Sequence, residues 1–185
     1  DRWQAPYLNG AYKEEAAGIL KNSAPHIEPA LHGIGHEFWI NGRADRSEFH
    51  TSSGRMRHGD EVKRHLEYFF RLLARNELDS NIRLFIPPAL NHCFGDGDQG
   101  FQGIASSFGI RLVTLLLQNT RCRRPPQYEN VGWECGVALI DRGLAPIPWN
   151  KVAPVPRLNP LQGILPLHWA NILHTDPEKN MDVVN

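Results

Sequence analysis

Two histidines on either side of a glycine-rich turn are the sharpest chemical signal in the sequence. They occur in Leu-His-Gly-Ile-Gly-His-Glu, where His32 and His36 lie four residues apart. The segment follows an apolar block, residues 27–31, so we expect it at the carboxyl end of a strand, where α/β folds place their sites. The glycines allow both imidazoles to turn toward one cation. A surface turn that happens to be rich in histidine and glycine has the same spacing, so both interpretations stay open.

A second candidate is a histidine that ends another apolar block. His168 follows Gly-Ile-Leu-Pro-Leu and precedes Trp169. Because its unperturbed pKa is about 6.5, an imidazole at this position could donate a proton near neutral pH. The alternative is a core histidine bonded to a carbonyl, which this segment taken alone favours.

A rigid turn carries the third candidate. Residues 82–86 read as a strand that runs into Pro87-Pro88, after which Asn91 and His92 follow in a loop rich in Gly and Asp. The Gly-Asp-Gly-Asp stretch at 95–98 lacks the ligand spacing and the closing Glu of a calcium loop, so we exclude calcium. Asn91 and His92 remain as predicted substrate contacts.

In their order along the chain, these segments resemble the polysaccharide deacetylase family, the NodB-homology group of carbohydrate esterases. His32 and His36 match the two metal ligands of the family's His-(Ser/Thr)-x-x-His segment, and Leu167-His168 matches the late strand end that carries its catalytic acid. The resemblance covers most of the chain and is closest to a divergent branch. It implies a hydrolase that removes acetyl groups from an acetylated carbohydrate with a divalent metal, commonly zinc, and with Trp169 stacked on the sugar.

Three positions depart from the family pattern. Gly33 replaces its Ser or Thr and so removes a hydroxyl that would brace the metal loop. The Arg-x-Pro motif matches only as Ile86-Pro87-Pro88, with Arg83 and Arg142 as candidate substitutes. The Asp-Asp pair, which supplies the general base and the third metal ligand, has no match upstream of the histidines except Asp1. We therefore predict Asp1 as a catalytic residue whose partner lies outside this sequence.

The mechanism that the resemblance implies divides the work between metal and side chains. The metal lowers the pKa of a water toward about 7, an Asp takes its proton, and a backbone N–H helps to hold the oxyanion. His168 then protonates the leaving amine or alkoxide. The alternatives are a catalytically silent relative that binds carbohydrate or metal, which the altered motifs favour, and another metal hydrolase on a barrel.

The elements that must position these residues alternate between strands and helices. Apolar blocks predict strands that end near residues 31, 86, 116, 140 and 167, although Pro29 and Pro166 weaken two of them. Helices are predicted over Tyr12–Lys21, over Phe101–Phe108 with Gly109 as its stop, and along a stripe formed by Val62, Leu66, Phe69, Phe70 and Leu73.

Further patterns complete this prediction. Asp60 is expected to cap the middle helix, residues 118–131 to form a long loop, and Thr175-Asp-Pro-Glu178 to begin a final helix. The alternation predicts an α/β fold, a distorted or incomplete (β/α) barrel of mainly parallel strands. We expect one deacetylase-like domain over residues 1–185 that lacks its first strand and last helix.

The composition excludes several function classes. The 185 residues carry 20 Lys and Arg against 20 Asp and Glu, so no net charge directs the chain to nucleic acid. No apolar run approaches the ~18 residues of a transmembrane helix. Cys93, Cys122 and Cys135 form no CxxC pair, which argues against a disulfide framework. The first residues show no leader pattern, and an extracytoplasmic and a cytoplasmic location both stay open, as does the oligomeric state.

Overall fold

The structure is a computed structural model that describes residues 10–23, 26–45, 47–78, 81–115 and 131–143, together with Ile164, Pro166 and His168. The chain divides into two compact units, Asp1–Ile140 and Asp141–Asn185. Asp1, Trp169, most of the predicted loop at 118–131 and the predicted final helix lie outside the described residues.

Among the described residues of the first unit are three α-helices: α1 (Gly10–Ser23), α2 (Gly59–Arg75) and α3 (Phe101–Ser107). All three predicted helices are confirmed, and Val62 and Leu66 on the stripe of α2 are fully buried. Asp60 is not the cap, because α2 begins one residue earlier and His58 occupies the cap position. Asp60 lies in the first turn, where a carboxylate still favours the positive end of the helix dipole.

The part of the chain that the structure describes contains six strands in two sheets. A hairpin pairs β1 (Phe38–Ile40) with β2 (Arg43–Asp45), and a four-stranded sheet has the order β3-β4-β6-β5. The four strands are β3 (Leu84–Phe85), β4 (Leu112–Leu115), β5 (Val131–Glu134) and β6 (Val137–Asp141). β3 runs parallel to β4, whereas β5 and β6 form an antiparallel hairpin. Leu31 bridges Phe85 in parallel orientation and so extends the sheet beyond β3.

Two of the predicted strand ends are confirmed. β3 and β6 end within one residue of the expected positions 86 and 140, whereas at position 31 the chain contributes only an isolated parallel bridge at Leu31. The predicted ends at 116 and 167 lie outside the described residues, and Ile164 and Pro166, described singly, lie in no strand. Pro166 has no N–H to donate to a sheet. The sheet that the described residues form is mixed, and closure into a barrel stays a prediction.

The core lies between α2, α3 and the larger sheet. Phe49, Phe85 and Phe101 are fully or almost fully buried, with ring centroids 4.5–5.4 Å apart. Each such side chain contributes roughly 1.5–3 kcal/mol by leaving water. The cluster also contains Leu31, which directly precedes the histidine segment, so that segment starts from a fixed point. In the part of the chain that is described, no helix is both long and apolar enough to span a membrane.

Candidate functional site

The candidate site begins where two neighbouring strand segments leave the sheet. The N–H of Leu31 donates to Leu84 O at 2.9 Å, and the N–H of Ile86 donates to Leu31 O at 2.8 Å. Residues 32–36, here called the histidine loop, therefore start beside the short turn Pro88–Leu90 that follows β3. This is the carboxyl edge of parallel segments, where the sequence placed the two histidines.

His32 is exposed, and one of its ring nitrogens is held by the backbone. Its Nδ1 lies 2.9 Å from Ile86 O, and because a carbonyl oxygen only accepts, Nδ1 is the donor. In the neutral ring this assigns the lone pair to Nε2. A histidine that donates one N–H to a backbone carbonyl is the usual arrangement for a metal ligand.

His36 lies close to His32 but has a different hydrogen-bond pattern. The two ring centroids are 5.1 Å apart with 72° between the planes, so the structure brings the predicted pair together. The N–H of Ala89 donates to His36 Nε2 at 3.3 Å. In the neutral ring Nδ1 then carries the proton, and it is buried without a hydrogen-bond partner among the described residues. A metal ion at Nε2 would have to replace the long bond from Ala89.

Sequence reasoning missed the residue that organises this loop. Glu48 is fully buried, and its carboxylate accepts the N–H of Ile34 at 2.9 and 3.0 Å and that of His36 at 3.0 Å, with Gly35 N at 3.5 Å. The carboxylate also contacts His65 Nε2 on α2. Several charge-assisted bonds offset the cost of burying the carboxylate. No local pattern in the sequence reveals Glu48, since these backbone partners lie 12–14 residues upstream.

Gly33 is explained by the same carboxylate. Its φ of +104° lies in the region that disfavours side chains. A Cβ built at Gly33 would overlap Glu48 Oε2 and lie 3.2 Å from Pro88 Cγ. The Ser or Thr of the deacetylase pattern would therefore not fit, and a carboxylate from elsewhere in the chain occupies the space beside the loop.

A small hairpin and a buried arginine fix the segment that carries Glu48. Arg57 is 7% exposed, and its Nη2 donates to Asp45 Oδ2 at 2.8 Å and to Ser47 O at 2.9 Å. The guanidinium also lies 4.0 Å from the centroid of the Phe38 ring, in a cation–π contact. These bonds tie the β1–β2 hairpin to the residue immediately before Glu48.

Asn91 and His92 have different surroundings. Asn91 is half-buried and donates through Nδ2 to Ser47 Oγ. His92 is only 1% exposed, with its ring 5.4 Å from that of Phe101 and its Nε2 accepting from Gln102 Nε2 at 2.9 Å. His92 is thus buried in this structure, and a contact with substrate at this position stays a prediction. The chain turns into the core after the Pro88–Leu90 turn.

His92 instead forms an interior histidine pair with His50. Their ring centroids are 4.7 Å apart, and both nitrogens of His50 are buried without hydrogen-bond partners in the described part of the chain. Burial lowers the pKa of His92 to about 3. Burial, followed by His92 and Arg57, also lowers the pKa of His50 well below its usual value.

The remaining predicted site residues stay untested by this geometry. His168 is exposed and belongs to the second unit, so the expectation that it shares a pocket with His32 and His36 stays a prediction. Asp1 and Trp169 lie outside the described residues. Of the two candidate substitutes for the family arginine, Arg83 is exposed, and its Nε lies 3.4 Å from Asn81 Oδ1. Arg142 belongs to the second unit.

The fit of the site to a metal ion is partial. Zinc takes four ligands, of which a catalytic site draws three from the protein. Within the described ranges, no group of three or more His, Cys, Asp or Glu side chains could hold a metal ion. His32 and His36 thus supply two donors. The third ligand would come from the Asp pair, whose only match, the predicted catalytic residue Asp1, is not among the described residues.

Comparison with known proteins adds no relative to this description. No family model matches the chain, and neither the curated proteins nor the solved structures contain a match. Its function is therefore argued from the geometry of the histidine loop and from the motifs in its sequence.

Proposed function

We propose that this chain is a metal-dependent hydrolase that removes acetyl groups from an acetylated carbohydrate, with His32 and His36 as two of its metal ligands. The observation that carries the proposal is the pair of imidazoles 5.1 Å apart at the carboxyl edge of the sheet. The hydrogen bond from His32 Nδ1 to Ile86 O supports the proposal. It fixes the tautomer in which Nε2 carries the lone pair that can bind a metal.

The chain's own residues would then perform binding and proton transfer. A divalent metal such as zinc supplies the Lewis acidity that lowers the pKa of water and polarises the acetyl carbonyl. The histidine loop orients two of its ligands, and Asp1 accepts the proton of the attacking water. His168 gives a proton to the leaving nitrogen or oxygen of the sugar, so acetate and the deacetylated carbohydrate are the products.

A second candidate is a silent domain that binds carbohydrate or metal without hydrolysis. One observation favours it: His36 Nε2 already accepts the N–H of Ala89, so a metal must displace a hydrogen bond to gain this ligand. A two-histidine site also retains metal more weakly than a site with three protein ligands.

One experiment separates these candidates. Metal content is measured on the full-length protein, and acetate release is measured with N- and O-acetylated sugars. The proposal expects about one divalent ion per chain and acetate release, with both lost in His32→Ala and in His36→Ala. His26→Ala is the matched control, because His26 is an exposed histidine in a separate segment of the chain. Metal without acetate release would establish a metal-binding silent domain. A protein with neither property would contradict the hydrolase and would leave only a silent domain that binds carbohydrate without metal.

A further inference from the structure

The structure assigns a role to Glu48: we propose that it is a positioning residue, whose buried carboxylate sets the backbone of the histidine loop and thereby the orientation of His36. This inference rests on the proposed function insofar as His36 binds a metal. The arrangement of the loop around Glu48 stands independently of it.

Glu48 is the main hydrogen-bond acceptor for the backbone of this loop. Its two oxygens face the N–H groups of Ile34, Gly35 and His36 in succession, at 2.9–3.5 Å. A row of backbone N–H groups around one anion is a recognised anion-binding arrangement, and here the anion is part of the protein. Without the carboxylate these part-buried donors would lose their acceptor, which destabilises the loop.

The loop needs this support because its backbone has positive φ at two positions, one of which is not a glycine. Gly33 has a φ of +104° and His36 a φ of +55°. A left-handed conformation at a residue other than glycine persists only when its surroundings determine it. At His36, Glu48 Oε2 accepts the backbone N–H, while the ring accepts from Ala89. The two bonds together define the direction in which the imidazole leaves the backbone.

Glu48 is itself held from the other side. His65, which is 7% exposed on α2, contacts Glu48 Oε1 through Nε2, and its ring lies 5.4 Å from that of Phe49. The contacts thus run from the core helix through Glu48 to the histidine loop. Gly33 completes the arrangement, since any larger residue there would occupy the space of Glu48 Oε2. The hydroxyl missing from the loop is replaced by a carboxylate outside it.

The first test requires no variant. In the wild-type protein, the amide protons of Ile34 and His36 should exchange with solvent at least about 10-fold more slowly than that of Gly42, which occupies an exposed hairpin turn. Equal exchange at these three amides would overturn the proposal.

The second test asks whether Glu48 acts on metal binding beyond stabilising the fold. Glu48→Gln keeps the size of the side chain but turns an NH₂ group toward the loop donors. Zinc affinity, measured where the variant is folded, should fall roughly 10–100-fold, the usual effect of removing a group that orients metal ligands. Val62→Ala is the control, because it weakens the buried face of α2 without touching the loop and should leave zinc affinity unchanged. Equal affinities in wild type and Glu48→Gln would refute the positioning role.

A third test uses the contact between Gly33 and Glu48. Gly33→Ala should disturb the loop more in the wild-type background than in Glu48→Ala. In the second background the overlap with Oε2 disappears, and only the backbone strain and the close contact with Pro88 Cγ remain. The exchange rates of the loop amides are measured in both backgrounds. Identical effects of Gly33→Ala on these rates would contradict the packing of Gly33 against Glu48. A wild-type protein that binds no zinc would defeat the proposed function, while the exchange experiments would still decide the role of Glu48.

Discussion

The molecule contains two close histidine pairs whose chemistry differs because their surroundings differ. The ring centroids of His32 and His36 are 5.1 Å apart, and those of His50 and His92 are 4.7 Å apart. The first pair lies on a loop, and backbone groups bond one nitrogen of each ring. The second pair is 1% exposed, and its members have lowered pKa values. Closeness alone therefore does not define a site, because access and hydrogen bonding decide which nitrogen is available.

The largest expected effect concerns His168, the catalytic acid of the proposed hydrolase. In an active full-length enzyme, His168→Ala should lower kcat by roughly 10²–10⁴-fold, the usual contribution of general acid catalysis, and should leave metal affinity nearly unchanged. Acetate release and zinc titration measure the two properties. Unchanged turnover would show that the proton comes from another group, and lost metal would make His168 a ligand.

Truncation of the aromatic residue shared by the interior pair should give the largest change in stability. Phe101 is 1% exposed, and its ring centroid lies 5.3 Å from that of His50 and 5.4 Å from that of His92. Phe101→Ala should lower the free energy of unfolding by about 3–5 kcal/mol, because it leaves a cavity in the core. It should also raise the pKa of His92 toward its ordinary value by admitting water. Denaturant titration and NMR titration are the measurements, and a small loss of stability would mean that the interior pair is not packed as described.

A smaller effect on stability is expected from acidification, which should act through the interior pair, His50 and His92. Burial lowers the pKa of His92 to about 3, and His50 shifts in the same direction with help from the Arg57 charge. Unfolded imidazoles titrate near 6.5, so the unfolded chain binds protons first as the pH falls. The free energy of unfolding should be greatest above about pH 6.5 and should then fall by up to about 1.4 kcal/mol per pH unit for each histidine. For His92 the fall should continue until the pH approaches 3.

A variant of the interior pair tests whether His92 causes this pH dependence of stability. His92→Leu should flatten the fall in stability between about pH 6.5 and pH 5, since it removes one of the two buried titrating groups. An unchanged slope in His92→Leu would contradict a buried neutral pair.

The smallest effect is expected for the stability of His32→Ala, a variant of the loop pair. His32→Ala removes one hydrogen bond from an exposed side chain to Ile86 O, so the free energy of unfolding should fall by only about 1 kcal/mol. Thermal or denaturant unfolding without added metal measures it. A loss of unfolding free energy as large as that of Phe101→Ala would mean that His32 stabilises the core. The contrast between the two histidine pairs would then be wrong.

Local patterns predicted those elements whose stabilising contacts lie close in sequence. The stripe from Val62 to Leu73 indicated α2, and the positive φ of Gly109 follows α3 as expected from its position. The β1–β2 hairpin was missed, although Asn41-Gly42 is a strong turn signal and both residues have positive φ. The helices were easier to predict because a periodic pattern over many residues outweighs local ambiguity.

The sequence by itself determined that two histidines would leave a strand together, because an apolar block, two glycines and their spacing are properties of one short segment. Only the tertiary structure decided what holds them. Glu48 and His65 reach the loop region from segments far along the chain, and Gly33 is required by a carboxylate and not by the turn alone. The sequence predicted His92 in a loop, yet its side chain lies in the core beside His50. The physical reason is that burial and hydrogen bonding depend on which distant residues meet, and this is set by packing of the whole unit.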